Sequence, residues 1–110
     1  MNKTELMRKR CKPCEGNVPQ LTILQSEEYL KQAKGWTLEG KRITKKFKFK
    51  NFKETMKFVN KVADLAEREG HHPDMEVSYG YVIINLTTHA INGLSENDFI
   101  LAVKINQLNF

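Results

Sequence analysis

The stretch Asn51-Phe-Lys-Glu-Thr-Met-Lys-Phe-Val-Asn-Lys-Val-Ala-Asp-Leu-Ala-Glu-Arg-Glu-Gly70 predicts the longest element of this fold, an amphipathic helix. Asn51, followed three residues later by Glu54, resembles the paired side chains that cap a helix start. Gly70 predicts the end, because glycine readily adopts the left-handed conformation in which many helices stop. Apolar residues recur at intervals of three and four and predict the face that packs on the core. They are Phe52, Met56, Val59, Val62, Ala63 and Ala66.

The residues on either side of this helix predict two pairs of strands. Before it, Trp36–Leu38 and Ile43–Phe49 are separated by a short, hairpin-like connection. In the second of these strands apolar residues alternate with basic or polar ones, so one face is buried and the other solvated. After the helix, residues 75–78 and 81–87 predict the second pair. The continuous apolar run within 82–86 is typical of a central, well-covered strand.

Two shorter helices complete the pattern. Ser26 is a suitable N-cap for a helix over Glu27–Ala33. Near the C-terminus, Ser95 at the N-cap and Asp98 three residues later predict the start of a final helix. The order helix, two strands, helix, two strands, helix predicts an α+β fold. We expect one four-stranded antiparallel sheet with the three helices packed on one face.

Composition is typical of a single water-soluble domain. The chain has 110 residues, of which 40% are hydrophobic and 28% charged. No apolar run approaches the roughly 18 residues that a membrane-spanning helix needs. The basic N-terminus leads into no apolar stretch of the kind found in secretory signals, so we expect a cytoplasmic protein. The net charge of +5 is compatible with an anionic partner, but we interpret the lysine-rich strand face as solvated and expect no nucleic-acid or membrane partner.

Residues 1–20 are expected to form a mobile N-terminal tail, and residues 21–110 the folded domain. The tail holds both cysteines, as Cys11-Lys-Pro-Cys14. This pair is half of a zinc site, and the chain contains no second Cys-x-x-Cys pair to complete it. A redox pair and two reduced thiols without a function are the other interpretations. Because the tail is polar and contains proline and glycine, we expect it to be dispensable for chemistry.

All three histidines lie within nineteen residues, at His71, His72 and His89, and Asp98 follows. Histidine exchanges protons near neutral pH, so such a cluster favours acid–base chemistry. Pro73 biases His72 toward extended geometry, in which consecutive side chains diverge. Two separate tasks are therefore favoured over a shared metal. Asp98 has an alternative interpretation as a helix cap alone.

The spacing Glu67-x3-His71-His72-Pro73, with Tyr79, His89 and Asp98, resembles the signature of the pterin-4a-carbinolamine dehydratases. The resemblance covers about residues 20 to 108. Supporting segments are Gly35-Trp36, Phe47-x-Phe49-x-x-Phe52, Thr88-His89 and Gly93-Leu94-Ser95-x-x-Asp98. The family implies the fold predicted above, a homodimer or homotetramer, and a pterin substrate. It also implies loss of water from 4a-hydroxytetrahydropterin without a metal or an organic cofactor, in tetrahydrobiopterin recycling.

The resemblance also implies roles for individual residues. His71 and His89 would be the acid and the base, His72 would mainly hold the pterin, and Asp98 would orient an imidazole. The implied substrate-binding residues, many acting through their backbone, are Glu67, Gly70, His71, His72, Thr87, Thr88, His89 and Ala90. Animal members commonly carry Asp at the position of Gly70 and Glu at that of Ala90, so side-chain contacts from those positions are absent or replaced here.

Two other functions share these residues. One is a pterin-binding relative that acts in molybdopterin metabolism. The other is a binding protein, since animal relatives also serve as dimerisation cofactors of a transcription factor through a helical surface. An assay of 4a-hydroxytetrahydropterin breakdown, alongside binding to DNA and helical peptides, discriminates among these alternatives.

Overall fold

The computed structural model describes residues 3–12 and 18–108, and their architecture is the predicted α+β layer. The four strands form one antiparallel sheet in the order β1-β2-β4-β3. Each predicted strand end lies within one residue of the observed end. The elements are α1 (Lys3–Arg8), α2 (Ile23–Leu30), β1 (Thr37–Glu39), β2 (Arg42–Lys48), α3 (Phe52–Glu69), β3 (Asp74–Val77), β4 (Tyr81–Leu86), a 3-10 helix (His89–Ile91) and α4 (Glu96–Asn106).

The core lies between one face of the sheet and the helices. Ile43 pairs with Leu86 and Phe47 with Val82 across β2 and β4, and all four side chains are buried. The alternation predicted for β2 is therefore confirmed, since side chains two residues apart share a face. β4 is central, as predicted, but it is covered on one face only. Its residue Ile83 is half-buried on the opposite face, so the apolar run did not indicate burial on both sides.

Helix α3 begins and ends as predicted, but it presents a different face to the core. The Asn51 side chain accepts a hydrogen bond from the Glu54 N–H at 2.9 Å, and Gly70 ends the helix with φ +68°. The predicted stripe is right for Val62 and Ala66, which are buried, but wrong for Phe52, which is 49% exposed, and for Ala63, which is also exposed. The residues that α3 buries are Thr55, Phe58, Val62, Leu65, Ala66 and Glu69.

The start of helix α2 was predicted wrongly. Ser26 is buried inside the helix, and the N-cap is Thr22. The Thr22 hydroxyl accepts from the Gln25 N–H at 3.1 Å, and the Gln25 side chain accepts from the Thr22 N–H at 2.9 Å. This reciprocal pair satisfies two backbone donors that a helix start otherwise leaves without partners, which explains why the helix begins four residues earlier.

The N-terminal segment contains ordered contacts that its composition did not predict. Leu6 of α1 is fully buried in the main core, and α1 contacts α4. Beyond α1, residues 9–12, called here the N-terminal strap, cross the end of α3 and the start of α4. The predicted Cys-x-x-Cys pair is described only at Cys11, since Cys14 lies outside the described residues.

Glu69, at the C-terminal end of α3, is a buried carboxylate beside the strap. It accepts hydrogen bonds from the Cys11 N–H at 2.9 Å and from Lys104 Nζ at 2.8 Å, and Arg10 Nε lies 3.3 Å away. Burial alone would raise the pKa of Glu69, but these donors and positive charges outweigh it and lower the pKa. The ionised carboxylate therefore connects α3, α4 and the strap.

None of the helices in the described residues is both long enough and apolar enough to span a membrane.

The lowered pKa of Glu69 predicts an acid-sensitive part of the stability. A group whose pKa falls on folding stabilises above its unfolded value, here about 4.5, and loses that contribution as pH drops through the folded value. We expect the free energy of unfolding of Glu69→Gln to fall less steeply below about pH 4.5 than that of the unsubstituted protein. Urea unfolding at a series of pH values measures this slope. Glu27→Gln, on the exposed surface of α2, is the matched control and should leave the slope unchanged. If the free energy of unfolding of Glu69→Gln depends on pH as steeply as that of the unsubstituted protein, Glu69 does not supply this acid-sensitive stability.

Candidate functional site

Three element ends meet at one edge of the sheet and bring the predicted residues together. Gly70 turns the chain out of α3 in the left-handed conformation, and the next residue, His71, is 4% exposed. Asp98 lies in the first turn of α4 and is fully buried. His71 Nε2 lies 2.6 Å from Asp98 Oδ1, a length typical of a strong hydrogen bond to a charged group. The sequence prediction that Asp98 contacts a histidine is consistent with this geometry.

The second oxygen of Asp98 holds the helix start and the end of β4. Oδ2 accepts a hydrogen bond from the Ser95 N–H at 3.0 Å and another from Thr88 Oγ1 at 2.9 Å. The first contact is the carboxylate half of a capping box, so Asp98 caps α4 as predicted. The same side chain therefore caps α4 and contacts His71, and the two interpretations of Asp98 are not exclusive.

The hydrogen bonds of this buried network fix its proton positions. Thr88 has one hydroxyl proton, which it donates to Asp98. The contact of 2.8 Å between Thr88 Oγ1 and Ser95 Oγ therefore has Ser95 as the donor. We assign the proton of the short contact at Oδ1 to His71 Nε2, which makes Asp98 the acceptor there as it is at Oδ2. In a neutral His71 the remaining nitrogen, Nδ1, is the one that can accept a proton.

His72 and His89 lie at the surface near this network. The His72 side chain is 60% exposed, and its Nε2 contacts a carboxylate oxygen of Glu67. His89, in the 3-10 helix after β4, is 78% exposed, with Nε2 3.6 Å from Asp74 Oδ2. Exposed pairs of this kind contribute little to stability. Each histidine thus has a carboxylate neighbour, but only the pair His71–Asp98 is enclosed.

A cleft of about 310 Å³ opens beside His89. It lies where β1, β2, β3 and the end of β4 meet. Asp74 and Thr87 line it together with His89, and the remaining lining residues are Glu39, Lys41, Arg42, Asn85 and Asn92. Its walls carry both carboxylates and cations, so the cleft presents hydrogen-bond donors as well as acceptors.

The other predicted substrate-binding residues have different surroundings. The Thr88 side chain is fully buried, and its backbone N–H and C=O both bond to Gly93. The Thr87 hydroxyl donates to the Lys41 carbonyl at 2.6 Å, and Ala90 is exposed next to His89. The structure thus places Thr88 with Asp98 rather than at the surface. In the described part of the chain, no three His, Cys, Asp or Glu side chains converge as a metal site.

The sequence prediction missed two participants in the site. Ser95 was predicted only as a cap, but its hydroxyl also donates to Thr88. The signal was available, because Ser95 and Thr88 both belong to the motif quoted for the site. Asp74 was not predicted, and its proximity to His89 follows from the sheet register. It pairs with Asn85 at the end of β4 that leads to His89.

The buried network predicts that Thr88→Val is destabilising although the two side chains have nearly the same shape. Valine removes one donor from Asp98 and the acceptor of the Ser95 hydroxyl, and each buried polar group left without a partner costs roughly 1–3 kcal/mol. We therefore expect the free energy of unfolding to fall by about 2 kcal/mol in urea unfolding. Thr44→Val, on the half-buried outer face of β2, is the control and should change it by less than about 0.5 kcal/mol. Equal effects of the two substitutions would refute the network.

The chain is similar to known proteins over most of its length. A family profile described as pterin 4 alpha carbinolamine dehydratase matches residues 19–108. A protein of Nitrosomonas europaea, provisionally named pterin-4-alpha-carbinolamine dehydratase, is 49% identical over 108 residues, covering 97% of this chain and 96% of the relative. A protein of Nitrosospira multiformis with the same provisional name is 51% identical over 104 residues, covering 94% and 92%.

Two solved structures are also similar. One, from Brucella melitensis, is titled a transcriptional coactivator/pterin dehydratase and is 37% identical with a TM-score of 0.76, covering 80% of this chain and 96% of the other. The second is titled a pterin dehydratase-like protein that is a RuBisCO assembly factor in the alpha-carboxysome. It is 27% identical with a TM-score of 0.57, covering 66% and 86%. The profile match over most of the chain, with relatives at about half identity, shows that this protein belongs to the pterin-4a-carbinolamine dehydratase family.

Proposed function

We propose that this protein is an active dehydratase that removes water from a 4a-hydroxytetrahydropterin and releases the quinonoid dihydropterin. The observation that carries the proposal is the enclosed pair His71–Asp98 beside two accessible histidines. Membership of the family supports the pterin substrate. We place the reaction in the recycling of tetrahydrobiopterin in the cytoplasm.

The reaction needs both an acid and a base. The bond from C4a to oxygen breaks as the electron pair on N5 forms a double bond to C4a. Hydroxide is a poor leaving group, so an acid must protonate the oxygen, which then departs as water. A base removes a proton from a ring nitrogen to give the neutral product. Histidine serves either role near neutral pH, and each positioned proton transfer is typically worth 10²- to 10⁴-fold.

We assign the two proton transfers to His71 and His89. The Asp98 carboxylate contacts Nε2 of His71 and orients its imidazole, which supports His71 as one of the two proton-transfer groups. His89 lines the cleft, follows Thr88 of the network directly in the chain, and has most of its side chain accessible. His72 is accessible but outside the buried network, which supports a role mainly in holding the pterin.

Substrate contacts are assigned to the surroundings of these histidines. Glu67, the backbone at Gly70 and the segment around Thr87, His89 and Ala90 are accessible enough to bind a pterin. Thr88 is assigned differently from the original expectation, as the residue that holds Asp98, because its hydroxyl and backbone are already engaged there.

An apolar surface on the outer side of α3 supports the proposed homodimer or homotetramer. Apolar side chains of this helix that are exposed or only partly buried lie along one side of it. Phe52 and Ala63 are exposed, and Met56 and Val59 are half-buried. A second copy of the chain would cover this surface with like residues, as two-fold symmetric contacts do.

The function is tested by the rate at which purified protein accelerates breakdown of 4a-hydroxytetrahydropterin, after subtraction of the uncatalysed rate. We expect His71→Ala and His89→Ala each to lower kcat by roughly tenfold or more, because each removes a proton transfer. His72→Ala should instead raise KM more than it lowers kcat. The double variant His71→Ala/His89→Ala should approach the uncatalysed rate.

Glu27→Gln, on the exposed surface of α2, is the control for handling and folding and should retain full turnover. Unchanged kinetics in the double histidine variant would refute the proposed site. Absence of turnover in the unsubstituted protein would favour a binding role, and parallel binding measurements with DNA, helical peptides and molybdopterin would then identify which.

A further inference from the structure

We propose that the N-terminal strap is a positioning device for the pair His71–Asp98, with Asn97 and Glu69 as the positioning residues through which it acts. The strap was expected to be dispensable, because its composition is that of a mobile tail. Its contacts fall instead on Glu69, two residues before His71, and on Asn97, directly before Asp98. The effect on catalysis rests on the proposed function, whereas the effect on the geometry of the pair does not.

Asn97 connects the strap to α4 immediately before Asp98. Its side chain is almost fully buried. Its Oδ1 accepts from the Lys12 N–H at 2.8 Å, and its Nδ2 donates to the Lys12 carbonyl at 2.8 Å. This double hydrogen bond resembles the pairing of two neighbouring strands and fixes both the distance and the direction of the strap relative to the first turn of α4.

Glu69 connects the strap to α3 two residues before His71. Its carboxylate accepts from the Cys11 N–H, the residue directly before Lys12. Lys104, on α4, binds the other oxygen of the same carboxylate at 2.8 Å. Adjacent backbone groups of the strap thus bind the end of α3 and the start of α4. These are the two element ends from which His71 and Asp98 project.

The strap is itself anchored at its other end. Leu6 of α1 is fully buried in the core, and Lys9 Nζ binds Glu96 Oε2 at 2.8 Å. The hydroxyl of Tyr29 binds the same oxygen at 2.8 Å. At the start of α4, Glu96 and Asn97 therefore contact the strap, and the next residue, Asp98, contacts His71.

The hydrogen bond between His71 and Asp98 joins the two element ends that the strap contacts. Its two partners are 27 positions apart in the sequence, so the local chain does not fix their distance. A displacement of about 1 Å in a catalytic group can cost up to roughly 10²-fold in rate. Loss of the contacts from the strap would remove one of the constraints, beside the hydrogen bonds of Asp98 and the pair Glu69–Lys104, that hold the first turn of α4 relative to the end of α3.

The test compares Asn97→Ala with Asn106→Ala in the full-length chain. Asn106 lies at the opposite end of α4, where its side chain binds Trp36, Lys45 and Lys34. Both substitutions remove an asparagine that makes several hydrogen bonds from the same helix, so both should lower stability. The readouts are kcat and KM for 4a-hydroxytetrahydropterin and the NMR resonance of the His71 Nε2 proton in the ligand-free protein.

We expect Asn97→Ala to lower kcat about fivefold or more with KM changed by less than about twofold. We also expect the resonance of the His71 Nε2 proton to shift upfield, because its hydrogen bond to Asp98 lengthens. Asn106→Ala should leave both the resonance and kcat unchanged. If Asn97→Ala leaves kcat and the resonance as they are in the unsubstituted protein, the proposal is overturned.

A second variant covers the case in which Asn97→Ala does not fold. Leu6→Ala weakens the anchor of the strap without touching Asn97 or Asp98, and the same pair of changes is expected. An unchanged resonance and kcat in folded Leu6→Ala would also overturn the proposal. If the resonance moves in either variant while the unsubstituted protein has no turnover, the positioning inference stands and the proposed dehydratase activity fails.

Discussion

The arrangement of the site depends on one buried carboxylate. Asp98 is fully enclosed, and a buried charge is tolerated only where its oxygens are satisfied by hydrogen bonds. His71, Ser95 and Thr88 supply them from three different parts of the chain. The cost of leaving any of these bonds unmade keeps the end of α3, the end of β4 and the start of α4 in register with one another.

The topology of the sheet explains why this carboxylate organises a site rather than a cap alone. Helix α3 ends, and β4 also ends, at the edge of the sheet where α4 begins, so groups far apart in sequence converge there. The pair His71–Asp98 is enclosed, whereas the side chains of His72 and His89 are exposed at the surface. One imidazole with a fixed proton beside two accessible ones is a suitable arrangement for moving protons on a bound heterocycle.

Much of this arrangement could be predicted from local sequence signals. Asn51 and Gly70 predicted the ends of α3, and the alternation of apolar and polar residues predicted the buried face of β2. Both signals depend only on residues that are close together in the sequence. Contacts that depend on three-dimensional packing could not be predicted in this way. The buried face of α3 includes Phe58 and Leu65 because of how the helix is rotated on the sheet, and periodicity alone left that rotation open. The contacts of the strap with Asn97 and Glu69 join residues 58 to 85 positions apart and leave no local pattern in the sequence.

The central claim is that Asp98 holds His71 with its proton on Nε2, and the tautomer of His71 tests it most directly. Two-bond ¹⁵N–¹H NMR spectra of the histidine rings distinguish the two neutral forms in the ligand-free protein. We predict the Nε2-protonated form in the unsubstituted protein. In Asp98→Asn we predict the Nδ1-protonated form, because the amide that replaces the carboxylate donates to Nε2 while its oxygen still accepts from Thr88 and Ser95. An Nδ1-protonated His71 in the unsubstituted protein, or the same tautomer in both proteins, would contradict the account.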